Sequence, residues 1–205
     1  MGRPGATGAT GERQRRPGRV ALMRTAVALM GERGFDGTST RDIAAAADVS
    51  VAALYYHFPS KLDLLREFLH EAHDVVLARL EREVAAAGPA PRAQLDAAVA
   101  TLLWSNLHDD WAQLAAQVAW REHGRLDEPD RRKIAAKREQ MVDRLEQVLR
   151  AGAADGSFAT TEPREVARAV LTLCTTIVEP YAVMNRSLPE GIALYQRFAA
   201  GLAGV

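Results

Sequence analysis

Three features of this 205-residue chain predict an all-α fold. Apolar residues recur at helical spacing, helix-start signals stand between the apolar runs, and few strand signals compete with them. The first run is Val20, Met23, Val27 and Met30, and it ends at Gly34, a residue suited to the position past a helix end. Start signals follow in "STRD", "SKLD" and "SLPE". They place Ser39 with Asp42, Ser60 with Asp63 and Ser187 with Glu190 in capping-box register. Nine helices are expected, near 18–33, 40–47, 51–58, 61–87, 90–108, 111–124, 129–153, 163–186 and 189–202. The separators "GPAP", "EHGRLDEP" and "GAADGSFATTEP" are rich in breakers, and Pro180 inside the eighth pattern should kink it. No internal repeat is present.

Composition narrows the class. Hydrophobic residues make up 48% of the chain, enough for a sizeable core, and 25% charged residues is ordinary globular usage. A single cysteine, Cys174, leaves no internal disulfide and suits a reducing cytoplasm. No apolar run approaches the roughly 20 residues that span a bilayer. The polar, Arg- and Gly-rich N-terminus has no apolar stretch of the kind a secretory signal needs. Net charge is zero, yet residues 1–61 hold nine Lys and Arg against five Asp and Glu, so the remainder is acidic. A basic N-terminal third on a neutral chain points to a local surface for a polyanion.

The chain divides into an arm, residues 1–17, without apolar period, then residues 18–66, then residues 67–205. Residues 39–58 carry the spacing of a helix-turn-helix. The first short helix presents Ile43, Ala44 and Ala47, with Ala44 small enough for a close helix crossing. Asp48, Val49 and Ser50 make the turn, and Asp48 falls where a positive φ is needed, which Asp tolerates. On a wheel of about 100° per residue, Ser50, Leu54 and Phe58 face inward. Ala52 and Tyr56 face outward, flanked by Ala53 and Tyr55 and bordered by His57 and Lys61. An outward face of small residues lets a helix sink into a groove, while hydroxyls and a cation reach the phosphates beside it. Ser39, Thr40 and Arg41 offer hydroxyls and backbone N–H groups to another phosphate. In the arm, Arg13, Arg15, Arg16 and, at its end, Arg19 form a basic run of the kind that enters a minor groove.

The stretch "TSTRDIAAAADVSVAALYYHFPSKLDLL", preceded by "ALMRTAVALMGERGFDGTS", resembles the DNA-binding segment of the TetR (tetracycline-repressor) family of bacterial transcriptional regulators. The resemblance covers about 50 residues, from Arg19 to Glu67; the rest is similar in helical layout only. It implies that Thr40, Tyr55, Tyr56, His57 and Lys61 contact phosphates and that Ser50, Val51, Ala52 and Ala53 approach base edges. It also implies a homodimer through the last two helices and an effector site among helices four to eight. The chain departs from the family's habit at Asp48, where glycine is usual, at Val51, often polar, and at Ala52, often glycine. The reading helix therefore has no side chain that could pair bidentately with guanine or adenine. Contacts to thymine methyls, Arg41, the arm and DNA shape are left to supply specificity.

Beyond residue 66 there is no Gly-rich phosphate loop and no Ser/His/Asp grouping. Trp104, His108, Trp111, Gln117, Trp120 and His123 form a polar–aromatic series that could line a pocket, and the family resemblance adds Cys174, Glu179 and Tyr181 from the eighth helix. Filling of the core or an interface is the competing reading for each tryptophan. His70 and His73 share a helix face, but no further metal ligands accompany them, and an exposed surface is expected there. The apolar series Val166, Val170, Leu173, Ile177 and Ile192, Tyr195, Phe198, Leu202 could pair with a second copy. The expected protein is a cytoplasmic, ligand-responsive regulator, not an enzyme and without metal or cofactor. It would bind a palindromic double-stranded operator as a homodimer and be released by a small, largely apolar molecule. A small helical metal-binding protein or enzyme using His70, His73, His108 and His123, and a ligand-independent architectural DNA-binding protein, are the alternatives.

Overall fold

The computed structural model describes residues 18–176 and 186–205. They form α1 (Arg19–Arg33), α2 (Thr40–Ala46), α3 (Val51–His57), α4 (Lys61–Ala86), α5 (Pro91–Leu107), α6 (Asp110–Glu122), α7 (Glu128–Asp155), α8 (Pro163–Thr175) and α9 (Leu188–Ala203). A single 3-10 turn, His123–Arg125, follows α6, and no strand occurs among the described residues. The all-α expectation holds. The expected kink at Pro180, the basic run Arg13, Arg15 and Arg16, and the pocket candidates Glu179 and Tyr181 lie outside the described residues.

Local chemistry sets the helix ends. Ser39 accepts from the Asp42 N–H while the Asp42 carboxylate accepts from the Ser39 N–H, a complete capping box. The Ser60 hydroxyl accepts from the Asp63 N–H to start α4, and Asp109 and Asp127 cap α6 and α7 in the same way. Ahead of α9, Glu190 accepts from both the backbone N–H and the hydroxyl of Ser187. Each cap satisfies donors that a helix start leaves orphaned.

Two apolar cores share the long helices. Leu22, Val27, Met30, Ile43, Leu54 and Phe58 meet Leu64, Leu65, Phe68 and Leu69 of α4 in the first. Leu80 and Val84 of α4 join Leu95, Val99, Leu102 and Leu103 of α5 and Leu145 and Leu149 of α7 in the second. The first core is not closed by the N-terminal helices alone. Val118 of α6, Leu126 just before α7 and Ile134 of α7 are buried within it, and Trp111, Ala115 and Ala119 pack on it. The three N-terminal helices are thus seated on α6 and on the start of α7. No helix among the described residues is long and apolar enough to cross a membrane.

Candidate nucleic-acid interface

α3 stands on two buried anchors, Leu54 and Phe58, exposed by 2% and 1%. Its opposite face is open. Tyr56 is 86% exposed and Tyr55 46%, Ala52 is exposed, and Val51, Ala53 and His57 are partly so. The sequence wheel therefore gives the correct faces for the helical residues. Ser50 is different: the wheel places it inward, yet it is exposed and acts as the N-cap, its hydroxyl accepting from the Ala53 N–H. A cap residue has extended backbone, here φ −71° and ψ 151°, so helical angles do not apply to it. The turn before α3 is tight because Asp48 takes φ 54°, the single positive φ outside glycine among the described residues.

The phosphate-side groups separate into free and engaged. Thr40 Oγ1 lies 3.4 Å from the Tyr55 hydroxyl, so α2 and α3 present two hydroxyls side by side. Arg41 is exposed and has no ion-pair partner among the described residues. Ser39 is engaged, its hydroxyl donating to Asp42 at 2.6 Å and accepting from the Asp42 N–H. These bonds, hydroxyl first, hold the Asp42 carboxyl below the usual carboxylate range. Lys61 is engaged too. Its ammonium donates to the carbonyls of Phe35 at 2.5 Å and Thr38 at 2.6 Å and sits 4.0 Å from the Phe35 ring centroid. Lys61, expected as a phosphate cation, also ties the start of α4 to the α1–α2 loop. Arg19 is likewise bound, paired with Glu67 and lying over the Phe58 ring at 4.9 Å.

The same loop is fastened to α6. The Phe35 N–H donates to Glu122 Oε1 at 3.3 Å, and Glu122 is 7% exposed. Arg125 pairs with Glu122 and Asp36, each at 2.5 Å, and its guanidinium lies 4.7 Å from the Phe35 ring. Arg121 donates to the Gly31 carbonyl at 2.9 Å. A Cβ on Gly31 would stand 2.8 Å from Leu114, so α1 meets α6 at bare backbone. Sequence reading missed this clamp, because its partners lie almost 90 residues apart.

Of the expected pocket residues that are described, Trp104 and His108 meet, and the two tryptophans of α6 face elsewhere. The Trp104 ring stacks on His108 at 3.7 Å, and the Arg79 guanidinium lies 3.5 Å from the Trp104 centroid. Trp111 faces α1 instead, donating from Nε1 to the Arg24 carbonyl at 3.3 Å beneath the Arg24 guanidinium. Trp120 is 49% exposed beside His123, and Gln117 is half-buried on α6. Cys174 is buried, its thiol pushed up to about 12 by desolvation, and its carbonyl accepts from Asn106 at 3.2 Å. His70 and His73 are half-buried between α4 and α7, not on an exposed surface: His70 meets Asp130 at 3.2 Å, and His73 Nδ1 lies 2.7 Å from the Leu69 carbonyl oxygen. Among the described residues no three His, Cys, Asp or Glu side chains are grouped to hold a metal.

A small-faced second helix on a tight helix-turn-helix, seated on an all-helical body, defines a helix-turn-helix regulator architecture. Residues 22–68 match the family model for bacterial regulatory proteins of the tetR family, and residues 88–182 match that for the tetracyclin repressor-like C-terminal domain. The chain belongs to the TetR family. It is 40% identical over 83 residues to the HTH-type transcriptional repressor KstR2 of Rhodococcus jostii (strain RHA1), a stretch that covers 40% of each chain. It is 38% identical over 60 residues to the probable regulator YttP of Bacillus subtilis (strain 168), covering 29% of each. The match thus spans less than half the length of these curated relatives. Solved structures share the whole fold. A tetR-family regulatory protein from Rhodococcus RHA1 superposes with TM-score 0.79 at 23% identity, covering 91% of this chain and 96% of that one. AibR in complex with isovaleryl coenzyme A and operator DNA gives 0.75 at 24% identity, covering 90% and 97%.

Proposed function

We propose that this protein is a ligand-responsive transcriptional regulator, a repressor that binds a palindromic operator as a homodimer. The observation that carries the reading is the outward face of α3. Ala52, Ala53 and Val51 leave its backbone close to the surface, and Tyr55, Tyr56 and Thr40 set hydroxyls at its edge. Such a face fits a major groove and grips phosphates without cations on the reading helix. One helix of this length reads only a few base pairs. A two-fold copy about 34–36 Å away doubles the readout on a palindrome. Leu173, Phe198 and Leu202, all more than a third exposed on α8 and α9, supply an apolar face for that second copy.

A small, largely apolar effector is proposed within the helical body, with Trp104, His108, Gln117 and Cys174 its candidate neighbours. Release from DNA requires that the effector prefer a spacing of the heads unsuited to the operator. The clamp of Phe35, Asp36, Glu122 and Arg125 supports such coupling, since a shift of α6 must carry the α1–α2 loop with it. AibR, a protein of this fold, has been solved in complex with isovaleryl coenzyme A and operator DNA. The experiment is a gel shift on duplexes from the DNA flanking the protein's own coding sequence. Sequence-preferring binding that weakens steeply with salt supports the proposal. Equal affinity for random duplex at every salt concentration contradicts it.

A further inference from the structure

The loop from Gly34 to Thr38, between α1 and the cap of α2, is held from two directions. On the side of the head, the Thr38 hydroxyl donates to the Gly34 carbonyl at 2.9 Å, and Thr38 is fully buried. Lys61 of α4 donates to the Phe35 and Thr38 carbonyls. On the side of the body, Glu122 accepts from the Phe35 N–H, and Arg125 pairs with Asp36 and with Glu122. The Phe35 ring is shared, with the Lys61 ammonium 4.0 Å and the Arg125 guanidinium 4.7 Å from its centroid. Phe35 thus joins α4 to the end of α6 through its N–H, its carbonyl and its ring. α2 starts directly from this loop, with Ser39 as its cap and Thr40 and Arg41 as its first residues.

Neither DNA contact nor stability explains Glu122. It is an acid exposed by 7%, so it neither reaches a phosphate nor attracts one. A buried ion pair adds little net stability over apolar packing, because desolvation offsets the attraction. Its hydrogen bonds are directional, however, and hold their partners in one geometry. α1 is also tied to α6, by Arg121 on the Gly31 carbonyl and Trp111 on the Arg24 carbonyl. The clasp at Phe35 is the connection that reaches past α1 to the start of α2. Behind it, α6 packs on α5 and α5 on α9, the helix that carries Phe198 and Leu202. The angle of each head on its body therefore sets where the two heads of a dimer stand.

We infer that the clasp of Glu122, Arg125 and Phe35 selects the spacing of operator half-sites, with Glu122 a positioning residue that does not touch DNA. The inference rests on the homodimeric operator reading above and adds a second kind of specificity to it. Side chains of α3 choose bases, and the clasp chooses distance. Each added base pair moves the far half-site about 3.4 Å along the duplex and roughly 35° around it. A head fastened to α6 at the start of α2 cannot follow such a step. A head released there can, while its own core and its DNA face stay as they were.

The probe is the palindromic duplex that the native full-length chain selects from a random-sequence pool. Its derivatives are a single half-site and the palindrome lengthened or shortened by one base pair at its centre. Anisotropy titrations compare the native protein with Glu122→Ala, Phe35→Leu and Glu122→Gln. The native protein should lose at least about tenfold in affinity on either change of spacing. Glu122→Ala and Phe35→Leu should lose less than about threefold on the same change, while binding the half-site within about twofold of native. Glu122→Gln, which keeps an oxygen for the Phe35 N–H, should stay close to the native discrimination. Arg125→Met, at a side chain 38% exposed, repeats the test where folding is least at risk. A loss shared equally by half-site and palindrome places the damage in the head and overturns the inference. Undiminished discrimination in Glu122→Ala, Phe35→Leu and Arg125→Met overturns it too. A native protein that binds every spacing alike removes the inference and leaves the operator reading standing, and one that selects no duplex removes both.

Discussion

Individual side chains decide which parts of the reading head touch DNA and which hold it together. Lys61 stands in the position of a phosphate contact by sequence, yet its ammonium is spent on the Phe35 and Thr38 carbonyls. Charged hydrogen bonds of this kind contribute about 1.5–3 kcal/mol each when well formed. Lys61→Ala is therefore expected to lower unfolding stability by roughly 1–3 kcal/mol in urea titration, with any loss of DNA affinity following from a loosened α1–α2 loop. The residues of α3 were legible because a seven-residue helix obeys one wheel: Leu54 faces in, and Ala52, Tyr55 and Tyr56 face out. Ser50 was not, because a cap is governed by its own extended backbone. The role of Lys61 was invisible because its acceptors lie 23 and 26 residues away and come close only in the fold. The three tryptophans misled for a related reason. They straddle the corner between α5 and α6, so nearness in sequence placed them on different helix faces, toward α4, α1 and solvent.

The proposed coupling runs through helices, and their contacts fix what a perturbation does. The bare crossing of α1 and α6 at Gly31 leaves no room for a methyl group beside Leu114. Gly31→Ala should cost about 1–3 kcal/mol by overpacking and should also shift DNA affinity, since it pushes the reading head off α6. Equilibrium unfolding and a DNA titration on the same variant check both halves. The packing of α4 on α7 predicts a pH dependence. Burial and the adjacent cations keep the His73 pKa below 6.5 in the folded chain. As pH falls, the unfolded chain takes up the proton first. The contribution is complete above 6.5 and is lost as pH drops through the folded value. His73→Leu should flatten the decline of Tm between about pH 7 and pH 5, measured by calorimetry.

At the scale of the molecule, the nine helices among the described residues were predictable to within two residues at every end but that of α8, because caps and breakers mark them. How the two cores share α4, α6 and α7 was not, since that depends on contacts across the whole chain. The proposed homodimer places Phe198, 48% exposed, against a second copy. Phe198→Glu should leave the helical content intact and shift sedimentation from dimer to monomer, with operator affinity falling at least tenfold as the paired readout is lost. The central claim is that α3 reads DNA through its apolar, tyrosine-edged face. Its most direct test is a fluorescence-anisotropy titration of the operator duplex with the native protein and Tyr56→Ala. Tyr56 is 86% exposed, so its removal should move stability by no more than about 0.5 kcal/mol. The account predicts at least a tenfold loss of operator affinity at unchanged Tm, while undiminished binding by Tyr56→Ala would contradict it.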